Sequence, residues 1–368
     1  MTTPATRSAW LRWTALLPVL ALVALALTLG RDLGTVPVIV VALLLAGAVL
    51  AAVHHAEVIA HRVGEPYGSL ILAVAVTVIE VGLIVTLMIS GGEGTASLAR
   101  DTVFAATMIT CNGILGLSIL VGSLHHGLVV FNREGTGSAL ATVTAVATLC
   151  LVLPTFTTAQ PGPVFSPSQL AFAASASLVL YGLFVVTQTG RHRDFFLPIG
   201  SDGAPIESAD DDHDGPAGSS TARSLVLLVV ALVAVVGLAK VESPAIESAV
   251  ASAGLPPSFV GVVIALLVLA PETLAAVNAA RRDRVQISLN LALGSAMASI
   301  GLTIPAIAVV SIWLDGPLEL GLGPTQMVLL ALTVVVGMLT VVPGRATRLQ
   351  GGVHLVLLAG FVFLAANP

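Results

Sequence analysis

Eleven apolar stretches, most of them close to the length that crosses a bilayer, dominate this chain. A membrane-spanning helix needs about 20 predominantly apolar residues. The stretches are 14–30, 36–56, 68–90, 103–124, 138–158, 168–189, 224–241, 258–280, 285–312, 324–342 and 350–366. Charged residues make up 10% of the 368, against about 25% in an ordinary soluble domain. A soluble chain of this length would need a polar surface that these residues cannot build. Lipid is therefore the main solvent. The runs are continuous rather than alternating, which favours helices over barrel strands. The expected fold is all-α and integral to the membrane, with about 11 transmembrane helices.

Lysine and arginine set the orientation. With the N-terminus in the cytoplasm, Arg7, Arg12, Arg62, Arg133, Arg191, Arg193, Arg223, Arg281, Arg282, Arg284, Arg345 and Arg348 fall inside. Only Arg31, Arg100 and Lys240 fall outside. The bias predicts a cytoplasmic N-terminus and an outer C-terminus in a plasma (inner) membrane. Arg7 and Arg12 before an apolar run resemble a signal peptide, but the run is long and no cleavage site leads into a polar domain. It reads as a retained first helix, with Trp10 and Trp13 at the interface. The net charge of −5 comes largely from one acidic cluster, and no basic stretch points to nucleic acid. Cys111 and Cys150 lie in apolar runs and read as small buried hydrophobes. No signal for an oligomeric state is present.

One long hydrophilic segment, 190–222, holds Asp210-Asp211-Asp212-His213-Asp214 and reads as an acidic cytoplasmic linker. It divides the chain into an extra N-terminal helix (1–34), five helices (35–189), the linker, and five more helices (223–368). The two halves share a pattern. Arg100-Asp101-Thr102-Val103 leads into one helix, and Arg282-Asp283-Arg284-Val285 leads into another. Each follows a helix with a single mid-span acid, Glu80 or Glu272. The longer gap after Glu80 fits the loop Ser90-Gly91-Gly92-Glu93-Gly94. Because five is odd, the second unit enters from the opposite side. Two inverted five-helix repeats are therefore expected, an architecture that places transport sites at the midplane.

Glu80 and Glu272 carry the chemistry. An ionised carboxylate at bilayer centre costs about 3 kcal/mol or more, so such an acid readily takes up a proton. No Lys or Arg lies at that depth in any span. Two facing carboxylates suit a hard cation, supplying oxygen ligands and charge. Cation and protons then compete for the same oxygens. Asn112, Ser295 and, less directly, Thr77 and Ser299 offer neutral oxygens; the Arg-Asp offset puts Asn112 and Ser295 at nearly equivalent places. The alternative for these small polar residues is helix packing. Pro271 beside Glu272 removes a helical N–H and frees a carbonyl one turn earlier, as in a broken helix at a cation site. A second cluster, His54, His55, Glu57, His61, Arg62 and Glu65, falls near the cytoplasmic end of the second span. It suits a proton sensor, a cation funnel with Glu57 as a further ligand, or an interfacial helix end. His125-His126 reads likewise. There is no Walker A, His-Glu-x-x-His or Gly-x-Ser-x-Gly motif, so neither an ATPase nor a hydrolase is expected.

These residues resemble the calcium/cation antiporter superfamily, in its bacterial calcium/proton and sodium-potassium/proton branch. The passages are His54-His55-Ala56-Glu57-Val58-Ile59-Ala60-His61-Arg62-Val63-Gly64-Glu65-Pro66-Tyr67-Gly68, Ile79-Glu80-Val81, Arg100-Asp101-Thr102, Ala270-Pro271-Glu272, Gly294-Ser295-Ala296-Met297-Ala298-Ser299 and Gly344-Arg345. The resemblance implies an acid in the second helix of each repeat that binds cation and proton alternately. Glu80 and Glu272 match those positions, and Asn112 and Ser295 approximate the polar residues of the next helix. Val76-Thr77 and Val268-Leu269 stand where the wider family has Gly-Asn or Gly-Asp. Fewer side-chain oxygens leave sodium or potassium open beside calcium. The expected function is secondary antiport of Ca2+ and/or Na+/K+ against protons, without a cofactor. The alternative is a passive cation channel or leak.

Overall fold

The computed structural model describes residues 4–31, 33–63, 67–90, 95–199, 221–314 and 316–368. Glu65, Glu93 and the run Asp210–Asp214 lie outside the described residues, as do the side chains of Arg7, Trp10 and Arg12. Among the described residues twelve α-helices follow one another: α1 (Pro4–Thr28), α2 (Thr35–Val63), α3 (Tyr67–Ser90), α4 (Leu98–Met108), α5 (Leu115–His126), α6 (Arg133–Ala147), α7 (Pro167–Thr189), α8 (Thr221–Ser252), α9 (Phe259–Arg281), α10 (Val285–Val310), α11 (Pro324–Val341) and α12 (Arg348–Ala366). A π-helix, Ile109–Ile114, joins α4 to α5 into one span, Thr95–His126. Among the described residues ten such spans are long and apolar enough to cross a membrane, and Trp13–Thr28 adds a shorter apolar helix. Each of the eleven expected stretches coincides with one of them.

Two lengths differ most from expectation. The third span of the first repeat starts at Thr95 rather than 103. The stretch 224–241 belongs to α8, which has 32 residues. At 1.5 Å per residue this is about 48 Å, well beyond the roughly 30 Å hydrocarbon core. Lys240, Glu242 and Glu247 therefore ride on a continuing helix and not in a loop.

The helices group into two compact units. The first comprises Met1–Gly92 and Asp210–Gly254, and so packs α1, α2, α3 and α8 together. The second comprises Glu93–Ala209 and Leu255–Pro368. These units do not follow the repeat boundaries, because α8 opens the second repeat yet packs on α2, which opens the first.

Contacts within each unit show three of the corresponding pairs running as inversion requires. In the first unit, Arg62 at the end of α2 donates from Nη1 to Thr221 Oγ1 at the start of α8, 3.1 Å away. The two packed helices thus run antiparallel. In the second unit, a Cβ on Gly122 near the end of α5 would meet Val285 at the start of α10. A Cβ on Gly137 near the start of α6 would meet Val341 at the end of α11, and Gly337 lies against Leu140. Three corresponding pairs, α2 with α8, α5 with α10 and α6 with α11, are each antiparallel.

Proline explains one link in the first unit. Pro18 lies inside α1 and has no N–H for the Thr14 carbonyl. His55 of α2 takes that place, with Nε2 3.0 Å from Thr14 O. The second unit carries a short antiparallel pair, β1 (Val129–Val130) with β2 (Arg345–Ala346). Asn132 caps α6, its Oδ1 accepting from the Glu134 and Gly135 N–H groups. Both cysteines are buried and free, as expected.

Candidate cation and proton site

In the first unit, Glu80 sits midway along α3 and is 4% exposed. Thr77, Glu80, Ile84 and Leu87 recur at helical spacing and are all buried, so Thr77 and Glu80 share the packed face. Glu57 differs: it is exposed on α2, whereas His55, two residues earlier, is buried. Sequence reasoning passed over Glu242, a buried acid on α8 beside buried Ser243. Among the described residues no hydrogen-bond partner reaches Glu242 Oε1. Its only signal in the sequence was an acid eighteen residues past the start of an apolar run, masked by neighbouring Lys240 and Pro244.

In the second unit, Glu272 sits midway along α9 and is also buried, at 7%. It belongs to the stripe Gly261, Ala265, Val268, Glu272, Ala276 and Ala280, all buried at spacings of three and four. That stripe packs along the α4–α5 span. A Cβ on Gly261 would come within 2.8 Å of the Asp101–Thr102 backbone at the start of α4. At the other end, His126 Nε2 lies 3.1 Å from Arg281 O. The two spans therefore run parallel. Glu272 and Asn112, each near the middle of its span, are at similar depth.

α10 also packs on α9. It presents Ser299, buried at 4%, and Ser295, half-buried one turn earlier. The Arg-Asp pairs do not measure helix depth as expected. Asp101 lies inside α4, whereas Asp283 adopts φ 61° in the turn before α10. Counted from the first α-helical residue, Asn112 corresponds to Ser299 rather than Ser295. Asp101 is instead a structural anchor: Ser97 Oγ and Arg100 Nε each donate to its carboxylate at 2.8 Å. Arg100 Nη1 reaches on to Gly321 O at 3.3 Å.

The backbone irregularity also falls elsewhere than expected. α9 continues through Pro271 without a break. Among the described residues two segments are disturbed: the π-helix that carries Asn112, where no proline occurs, and a second π-helix, Thr148–Val152, just before Pro154. Within the first, Thr110 bonds back to the preceding turn, as Thr107 does in α4. Thr110 Oγ1 lies 2.8 Å from Ala106 O and 3.0 Å from Thr107 O. The Leu115 N–H bonds to Thr110 O and Asn112 O, bypassing Cys111 O.

Asn112 is fully buried, and its amide orientation follows from its partners. The Thr333 hydroxyl donates to Leu329 O at 2.8 Å, so it accepts from Asn112 Nδ2 at 2.9 Å. Oδ1 then faces His354 Nδ1 at 3.0 Å and accepts its proton. His354 Nε2 accepts from the Thr340 hydroxyl at 3.1 Å. The ring is thereby a neutral Nδ1–H tautomer with every nitrogen used. Asn112 Oδ1 keeps one lone pair beyond the bond from His354. Sequence reading missed His354, Thr333 and Thr340, because nothing in their local sequence distinguishes them from other small polar residues in apolar helices. Among the described residues, no three His, Cys, Asp or Glu side chains form a metal-sized cluster.

Comparison with known proteins agrees with this architecture. The solved structure of the H+/Ca2+ exchanger CAX superimposes with a TM-score of 0.66 at 18% identity, covering 98% of this chain and 93% of that one. At that identity the likeness speaks for the fold. "Sodium-potassium/proton antiporter ChaA" of Escherichia coli strain K12 is 35% identical over 352 residues, 94% of this chain and 93% of its own length. A Sinorhizobium fredii protein named "Putative ionic transporter y4hA" is 45% identical over 97% of this chain and 96% of its own. The sodium/calcium exchanger protein family matches residues 33–190 and 223–366. This integral membrane chain belongs to the sodium/calcium exchanger protein family.

Proposed function

We propose that this protein is a secondary cation/proton antiporter of the inner membrane, working by alternating access. The observation that carries the reading is the pair of acids, Glu80 and Glu272, each buried midway along a membrane-crossing helix. Ionised carboxylates are costly at that depth, so each favours holding a proton or a cation. Loading with one expels the other, and that competition couples the two fluxes. Thr77, Asn112, Ser295 and Ser299 supply neutral oxygens, and exposed Glu57 offers a further acid on α2. The relative named as a sodium-potassium/proton antiporter and the fold shared with an H+/Ca2+ exchanger support Ca2+, Na+ and K+ as the cations to test. The reaction needs no cofactor; cation and protons are the substrates. The Lys and Arg bias supports a cytoplasmic N-terminus and an outer C-terminus.

The test is proton release from everted vesicles under an imposed pH gradient, on adding Ca2+, Na+ or K+. Exchange should be saturable and electrically silent or not according to its stoichiometry, but always tied to the pH gradient. Glu80→Gln and Glu272→Gln should each abolish it. Cation flux that persists without proton movement would show a channel instead. Wild-type exchange in either variant would remove the glutamates from the mechanism.

A further inference from the structure

The α5–α12 crossing brings His354 to Asn112 by removing side chains from the contact. A Cβ on Gly116 would come within 2.8 Å of His354 Cβ and 3.1 Å of Gly351 O. A Cβ on Gly351 would come within 2.7 Å of Leu120 N and 2.9 Å of Gly116 O. Only glycine at both places lets the two backbones meet this closely. The result is an imidazole seated against the π-helix, with Nδ1 3.0 Å from Asn112 Oδ1.

We infer that His354 is the positioning residue for Asn112: its Nδ1–H holds the Asn112 carboxamide oxygen, so that the remaining Oδ1 lone pair is presented to the transported cation. The donors run in one direction, Thr340 O–H to His354, His354 to Asn112, Asn112 to Thr333, and Thr333 to Leu329 O. That order prevents the amide from flipping its NH2 toward the cation, which would repel it. His354 touches no cation itself. This inference rests on the reading of Asn112 as a cation ligand.

The experiment measures cation half-saturation and maximal rate for exchange in vesicles, with Ca2+, Na+ and K+ each as the probe. In His354→Leu the half-saturation for the transported cation should rise about tenfold or more, the usual effect of losing a partner behind a metal ligand. The maximal rate should change far less. His354→Asn places an N–H where Nδ1 stood, and should recover most of the affinity. Thr340→Val keeps the imidazole but frees Nε2, and should give a smaller rise in the same direction. This third variant decides the matter if His354→Leu does not reach the membrane. Wild-type half-saturation in both His354→Leu and Thr340→Val would overturn the inference, as would equal loss in the Leu and Asn variants with normal thermal stability. An inactive wild type would instead strike the antiport reading, and a silent Asn112→Ala would strike the ligand role of Asn112.

Discussion

His354 Nδ1 lies 3.0 Å from Asn112 Oδ1, joining residues 242 positions apart in the chain. Both are fully buried. The bond ties the last helix to the one irregular turn in the α4–α5 span, and it fixes which end of the amide faces which neighbour.

Asn112→Leu should destabilise the protein beyond its loss of transport. It strands the His354 Nδ1–H and deprives Thr333 Oγ1 of a donor. An unsatisfied buried group costs about 1–3 kcal/mol. A fall of several degrees in the thermal midpoint in detergent is expected. Asn112→Asp keeps an acceptor for His354 and should lose less. A midpoint unchanged in the Leu variant would show that the network contributes nothing to stability.

Adjacent glycines give a matched pair. Gly351→Ala forces a methyl within 2.7 Å of the Leu120 backbone, whereas a Cβ on Gly352 meets nothing within 4 Å. Overpacking of this kind costs about 1–3 kcal/mol. Gly351→Ala should lower the thermal midpoint and Gly352→Ala should not. Equal midpoints would mean that α5 and α12 do not cross so closely.

The link between α1 and α2 can be tested by a double-mutant cycle. His55→Leu removes the donor to Thr14 O and should cost about 1 kcal/mol. In a Pro18→Ala background, the introduced alanine supplies its own backbone N–H to that carbonyl. The cost of His55→Leu should then shrink by roughly half a kcal/mol or more. Additive midpoints would refute the proline explanation.

Arg100→Ala should be strongly destabilising, because it leaves Asp101, a buried carboxylate, without its guanidinium. Removing one partner of a buried pair costs about 3–5 kcal/mol, and partial exposure of Arg100 places the expectation at the low end. The double variant Arg100→Ala, Asp101→Ala should recover part of the loss. Expression and thermal midpoint of the three variants decide it.

Local chemistry was enough for much of this protein. Long apolar runs with almost no charge leave a chain no stable option but helices in lipid, and an odd number of spans per repeat forces inversion. The antiparallel pairs α2 with α8, α5 with α10 and α6 with α11 follow from that count. Glu80 and Glu272 stood out because an acid in an apolar run is costly wherever the helix packs. Other features depend on groups far apart in sequence. The π-helix at Asn112 has no proline to announce it, and its Asn112 is held by His354 from α12, 242 residues away. The expected break at Pro271 is absent, and α9 runs straight through it. The Arg-Asp repeats look alike as letters, but Asp101 is locked into a helix by Ser97 and Arg100 while Asp283 takes a left-handed turn. Sequence by itself determined the solvent, the helices and the acids, because these follow from the cost of placing charge and unpaired backbone in hydrocarbon. The tertiary structure alone decided which polar side chains meet, because a hydrogen bond requires two groups within about 3 Å, and only packing brings His354 to Asn112.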